Sequence, residues 1–384
     1  MEKRTRFCHI SDMKRAISLS LPLLLLALGC SDSGNSGPTP DPGTSSWDVP
    51  VSSDPVPDNS SCGTCGTPSE GGFSSGTETT SSSAGDVALA DLLTEAQFNQ
   101  IFPIMNPSDP CYNDLNTMCA ASKCTGISTY QGFLEAAARF PAFLAVGSAD
   151  DRKRELAGFL AHSFQETGGG GELTCGGVKA GALCKCEEDG YNDASVGGYA
   201  WSNDSNYQAV AGKSYHGRGP IQLSYPYNYG PASEYLYGDK TVWLNDPGQV
   251  LRSSLGFWGS AIWFWTVKED HGDVNLPTTL NGDPDGAGLA SFYYYKPSCH
   301  MAMTGTWKPR QGDVAKNRTF GFGVTINIVN GIECSGAWDY RGEKRVEMYK
   351  YIAGILGVSP VPSDWTGSED DYLTCKNQTS FMTP

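Results

Sequence analysis

The sequence is short of basic charge: 27 Lys and Arg stand against 42 Asp and Glu, a formal net charge of -15. A nucleic-acid partner needs a Lys/Arg surface to displace counterions, so that class is excluded. Missing too is any apolar run long enough to cross a bilayer, since the stretch from Ala16 to Leu28 has the length of a signal-peptide core. The five histidines (His9, His162, His216, His271 and His300) show no metal-ligand spacing. No nucleotide-binding glycine loop is present, so neither a metal nor a cofactor is expected. Strand-like alternation rarely persists beyond about five residues, which disfavours a sandwich, a barrel or a doubly wound sheet.

What is abundant points outside the cell. Thirteen cysteines suit an oxidising compartment. Lys14 and Arg15 precede the apolar run, and Met13 is a plausible true start. The run ends Leu26-Ala-Leu-Gly-Cys30, which resembles a bacterial lipobox with lipid carried on Cys30, so residues 1–30 read as a lipoprotein signal peptide. Residues 31–88 are Ser-, Gly- and Pro-rich with few aliphatics and read as a disordered tether. Its Cys62-x-x-Cys65 pair lacks any strand-helix context and reads as a local disulfide. The expected address is the cell envelope, outer membrane or surface, with the membrane engaged through the lipid anchor only and the protein otherwise a monomer.

Helical signals begin at Leu89. Thr94 and Gln97 form a capping box before Phe98, Ile101 and Phe102. A helix is predicted from Tyr130 to Phe140, another from Asp150 or Asp151 after Ser148 to Phe164, and further ones over Pro247–Val267 and Arg341–Leu356. Between Gly168 and Gly217 the pattern reads as long loops with a short hairpin. Residues 89–360 therefore read as one mainly α, loop-rich domain, and 361–384 as a tail whose Cys375 is pinned to the body.

Glu166 ends the third of these helices and is followed by Thr167 and Gly168 to Gly171. A carboxylate where a packed helix gives way to open backbone suits acid catalysis, because partial burial favours its protonated form. A surface Glu beside a flexible C-cap is the plainer alternative.

The segment from Ser148 to Gln165-Glu166-Thr167-Gly168 resembles the acid-bearing helix of the plant-type family 19 chitinases. Similar to the same family, and in the same order, are Tyr215-His-Gly-Arg-Gly-Pro-Ile-Gln-Leu-Ser224 with Tyr227-Asn-Tyr-Gly230, then Ala261 to Trp265, then Gly321 to Val324 through Glu333-Cys334. The resemblance runs from about Leu92 to Gly357 and implies a lysozyme-like, bilobed α fold with a substrate cleft between the lobes. It also implies endo-acting, inverting hydrolysis of β-1,4-linked N-acetylglucosamine polymers, with chitin or chitooligosaccharides as partner. Alternatives are a peptidoglycan-degrading hydrolase and an inactive chitin-binding protein.

Inversion needs a second carboxylate on a separate element. By the resemblance it is Glu188, with its neighbour Glu187 as rival. Ser224 matches the serine that holds the water, and Glu333 with Arg345 matches a charged network around the acid. Gln222, Tyr207, Tyr215, Tyr227, Asn228 and Asn330 match residues lining the sugar cleft. Gln165 and Tyr207 depart from the family's usual His and Trp. The stretch from Thr266 to Pro297 is longer than in compact relatives. Within it Asn281-Gly-Asp-Pro-Asp-Gly286 has half a calcium-loop pattern, but the twelfth position is Phe292, so calcium is not expected. Eleven cysteines follow Cys30, so at least one stays unpaired, and Cys111, Cys119 and Cys124 read as two partners and a spare.

Overall fold

In the computed structural model the described residues are 89–119, 124, 126–169, 174–175, 178–179, 182–192, 198–202, 204–268, 296–309, 311–334 and 340–381. The signal peptide with Cys30, the 31–88 tether with Cys62 and Cys65, and the 281–286 loop lie outside them.

The helices in chain order are α1 (Leu89–Leu92), α2 (Glu95–Ile101), α3 (Tyr112–Met118), α4 (Tyr130–Ala137), α5 (Ala149–Phe164), α6 (Pro226–Tyr237) and α7 (Thr241–Asn245). After them come α8 (Ser254–Thr266), α9 (Cys299–Thr304), α10 (Gln311–Ala315), α11 (Phe322–Asn330), α12 (Tyr340–Ile355) and α13 (Glu369–Leu373). The one ladder among the described residues is a hairpin, β1 (Thr174–Cys175) against β2 (Val178–Lys179), within the stretch expected to be loops with a short hairpin. The mainly α expectation holds.

Local signals set the helix starts. Thr94 and Gln97 close the expected capping box on α2, and Ser148 with Asp151 closes another on α5. Thr94, in its N-cap conformation, separates α1 from α2. No helix is predicted from the sequence over Pro226–Tyr237, the span of α6. Pro226 occupies the first helical turn, where its missing N–H costs nothing, and the chain turns out at Gly238 in the left-handed conformation.

The core is built on aromatic packing. Phe133 of α4 lies 4.8 Å from Trp258 of α8 and 5.8 Å from Phe159 of α5, ring centroid to centroid, and is fully buried. Close approach of α4 to α8 requires Gly132, where a Cβ would fall 2.4 Å from Ser254.

Disulfides tie the loops to this core. Cys119 pairs with Cys184, Cys124 with Cys186, and Cys334 with Cys375. Cys111 is disulfide-bonded as well, so none of the first three cysteines of the domain is a spare. Among the described cysteines the unpaired one is Cys299, buried at the start of α9. Beyond 360 the chain is not a trailing tail. Arg318 donates to Thr379 O and Ser380 O at 2.9 and 2.7 Å, and Asn327 of α11 accepts from Phe381 N at 2.8 Å, so 361–381 complete the domain around α11.

Candidate active site

Glu155, His162 and Glu166 recur at helical spacing, so one polar stripe runs through the buried side of α5 and its continuation. The helix ends in a wide turn over Gln165–Gly169, and Gly168 has φ of 104°, a conformation glycine adopts without strain. That turn delivers Glu166 to the rim, where its side chain keeps 18% of its surface.

Arg345, on α12, organises what faces the stripe. Its Nε donates to Glu333 Oε2 at 2.8 Å and its Nη2 to Glu333 Oε1 at 2.9 Å, a two-pronged pair with both partners buried. Nη2 also donates to Glu166 Oε1. Asn330 Nδ2 reaches Glu333 Oε1 at 3.1 Å. Glu166, Glu333 and Arg345 thus meet in one network, and Asn330, expected to line the sugar cleft, is held to it through Glu333. Burial alone would lower the affinity of Arg345 for its proton, but the two carboxylates outweigh it and hold the guanidinium firmly charged.

His162, which the sequence reading passed over, completes the set. Arg345 Nη1 lies 2.9 Å from His162 Nδ1, and a guanidinium can only donate, so Nδ1 carries no proton. The proton sits on Nε2, 2.9 Å from Thr325 Oγ1, whose own hydroxyl donates to Phe322 O at 2.6 Å. Complete burial and then the Arg345 charge hold the imidazole pKa well below its ordinary 6.5. The network is one cation, two carboxylates and a neutral ring, so a single proton would make it neutral. Glu333 is already bonded three times in the interior, whereas Glu166 accepts from Arg345 Nη2 and keeps part of its side chain exposed.

Glu187 and Glu188 are told apart by strand geometry. Glu188 N donates to Gly217 O and Gly219 N to Cys186 O, both at 2.9 Å, so the segment pairs with 217–219 and adjacent side chains leave on opposite sides. Glu187 turns inward, 3.0 Å from His216 Nε2 and 3.2 Å from Arg218 Nε, both fully buried. Glu188 turns the other way and accepts from Tyr199 Oη at 2.7 Å and Gly217 N at 3.1 Å, remaining half-buried. Burial and the Glu188 carboxylate together raise the Tyr199 pKa, so its hydroxyl stays a donor.

The lining residues divide. Ser224, half-buried, donates to Gln222 O at 2.9 Å, and Gln222 donates to Gly219 O at 3.1 Å over Gly217. Asn228 Nδ2 donates to Ser224 O at 2.8 Å, while its buried Oδ1 has no partner among the described residues. Tyr227 stacks on Tyr225 with centroids 5.2 Å apart. Tyr207 is half-buried, donates to Glu234 at 2.6 Å, and burial with that bond pushes its pKa up to about 12. Tyr215 is a correction: it is fully buried, its hydroxyl donates to Leu244 O at 2.7 Å and accepts from Val210 N at 2.8 Å, so it braces the 210–244 region and has no surface for a sugar.

The sequence profile described as Chitinase class I, glycoside hydrolase family 19, matches residues 108–276 and 291–364. This chain belongs to that family. It is a glycoside hydrolase with a mainly α fold. It is 39% identical over 263 residues to Chitinase 10 of Oryza sativa subsp. japonica, covering 68% of this chain and 77% of that protein. To Endochitinase 3 of Solanum tuberosum it is 38% identical over 254 residues, covering 66% and 67%. Among solved structures, chitinase C from Streptomyces griseus aligns with a TM-score of 0.47 and 27% identity, covering 71% of this chain and 96% of that one.

Proposed function

We propose that the protein is an endo-acting chitinase that hydrolyses β-1,4 linkages between N-acetylglucosamine units with inversion. The observation that carries this is the contrast between two carboxylates on separate elements. Glu166 opens from a buried network one proton short of neutrality, and Glu188 sits on a disulfide-fastened loop as an acceptor of two hydrogen bonds. In this reading Glu166 protonates the leaving oxygen, and Arg345 and Glu333 hold it in place. Glu188 takes the proton of the attacking water, which Ser224 helps to hold. Gln222, Tyr227, Asn228 and Asn330 offer the amide and hydroxyl partners that a sugar bearing hydroxyl and acetamide groups requires.

Hydrolysis of the N-acetylglucosamine hexamer, with product anomers resolved, tests this reading. Release of the α-anomer by wild type, with a loss of about a hundredfold or more in Glu166→Gln and Glu188→Gln, supports it. Cleavage of peptidoglycan but not of the hexamer sinks the substrate assignment, and binding without cleavage sinks the activity. We also infer that lipid on Cys30 holds the enzyme at the envelope. This rests on Leu26-Ala-Leu-Gly-Cys30 alone and is lost if the mature N-terminus is not lipidated Cys30.

A further inference from the structure

Trp243, Trp258, Trp263, Trp265 and Trp307 are buried, whereas Trp201 leaves 63% of its surface exposed. An indole left in water forgoes the burial that stabilises its neighbours, and an exposed aromatic patch bordering a cleft marks a binding surface. Trp201 is also held in a set orientation. Its ring stands nearly perpendicular to Tyr225 and to Tyr227, centroids 6.5 and 5.8 Å away, and those two rings stack on each other. The chain adopts left-handed backbone at Gln222 (φ 52°) and Tyr225 (φ 72°) to present this group, and such conformations cluster at ligand clamps.

The patch is continuous with the site. Tyr225 lies 5.0 Å from Tyr199, whose hydroxyl is bonded to Glu188, so two ring-to-ring steps lead from the carboxylate's partner to the open indole. Lys268 Nζ lies over the Tyr227 ring, 5.7 Å from its centroid. Sugar rings combine apolar C–H faces with polar rims, which suits an aromatic shelf beside amide and hydroxyl groups.

We propose that Trp201, braced by Tyr225 and Tyr227, is a stacking platform that extends the cleft on the Glu188 side and grips the substrate chain beyond the point of cleavage. This rests on the chitinase reading and deepens it: the occupant is a distal sugar of a longer N-acetylglucosamine chain, so the platform sets preference for length. With 63% of its surface exposed, Trp201 buries little area that Trp201→Ala would lose, and Trp201→Phe keeps a ring should Trp201→Ala disturb the loop.

The test is calorimetric binding of trimer and hexamer to the full protein carrying Glu166→Gln, with and without Trp201→Ala or Trp201→Phe, beside KM and kcat for the hexamer in the active enzyme. Trp201→Ala should raise Kd and KM for the hexamer roughly threefold to tenfold, affect the trimer less and leave kcat nearly unaltered, with partial recovery in Trp201→Phe. Val314→Ala, at an exposed position outside the site, should match wild type. Unchanged hexamer affinity in Trp201→Ala, with wild type binding normally, overturns the platform alone. An equal penalty on trimer and hexamer overturns its distal placement. If wild type neither binds nor cleaves the hexamer, the chitinase reading fails and the platform falls with it.

Discussion

Replacing His162 with glutamine should remove part of the protein's loss of stability in acid. The imidazole is fully buried between α5, α11 and α12, and the rings of Trp265 and Phe322 lie 5.8 and 5.1 Å away. The charge it faces directly is Arg345, with Glu166 and Glu333 beyond it. Burial first and Arg345 second keep its folded pKa well below 6.5, while in the unfolded chain it titrates near 6.5. The unfolded state therefore binds more protons below that value. The stability contributed by the neutral ring is complete above about pH 6.5 and is lost as pH falls toward the folded pKa, with a slope approaching about 1.4 kcal/mol per pH unit. Glutamine can accept from Arg345 through its carbonyl and donate to Thr325 through its amide, so the network is kept and the titration removed. Urea unfolding of wild type and His162→Gln, followed from about pH 8 to about pH 5, should give stabilities that differ by a pH-dependent amount of that slope. A difference constant across the range would refute a neutral buried imidazole.

Glu187 and Glu188 should separate stability from turnover. Glu187→Ala removes the carboxylate 3.2 Å from the buried Arg218 guanidinium and should cost about 3–5 kcal/mol in thermal or urea unfolding, whereas Glu188→Gln should cost no more than about 1 kcal/mol and abolish hydrolysis. Cys334→Ser with Cys375→Ser opens a link of sequence separation 41 and should lower unfolding free energy by about 4 kcal/mol, read from urea curves under oxidising conditions.

Helix starts were legible because their causes are local. Thr94 with Gln97, and Ser148 as the cap of α5, are read within one turn of chain. Glu166 was picked out by its place at a helix end, but Glu333 and Arg345 were found only through the ordered resemblance, since 179 residues separate Glu166 from Arg345 and nothing local couples them. His162 had a signal that went unused, its place four residues before Glu166 on one face of a helix. Tyr215 was misplaced because a motif position says nothing about which way a ring points. The α6 helix is not predicted from the sequence, and Tyr207 packing on Gly230, where a Cβ would fall 2.3 Å from that ring, is a contact between segments apart in sequence.

By itself, then, the sequence determined composition-driven properties and those set within a turn or two: helix-rich class, excess negative charge, cysteine content and the residue types of the site. Tertiary structure decided which groups meet. Opposite faces of one extended segment send Glu187 into an ion pair and Glu188 to the opening. Contact between α5 and α12 makes a proton-poor cluster from residues unremarkable alone, and the Cys334–Cys375 link with Asn327 and Arg318 turns an apparent tail into part of the core. The physical reason is that hydrogen bonding and desolvation depend on three-dimensional neighbours, which loop closure brings together at an entropic cost that no local pattern encodes.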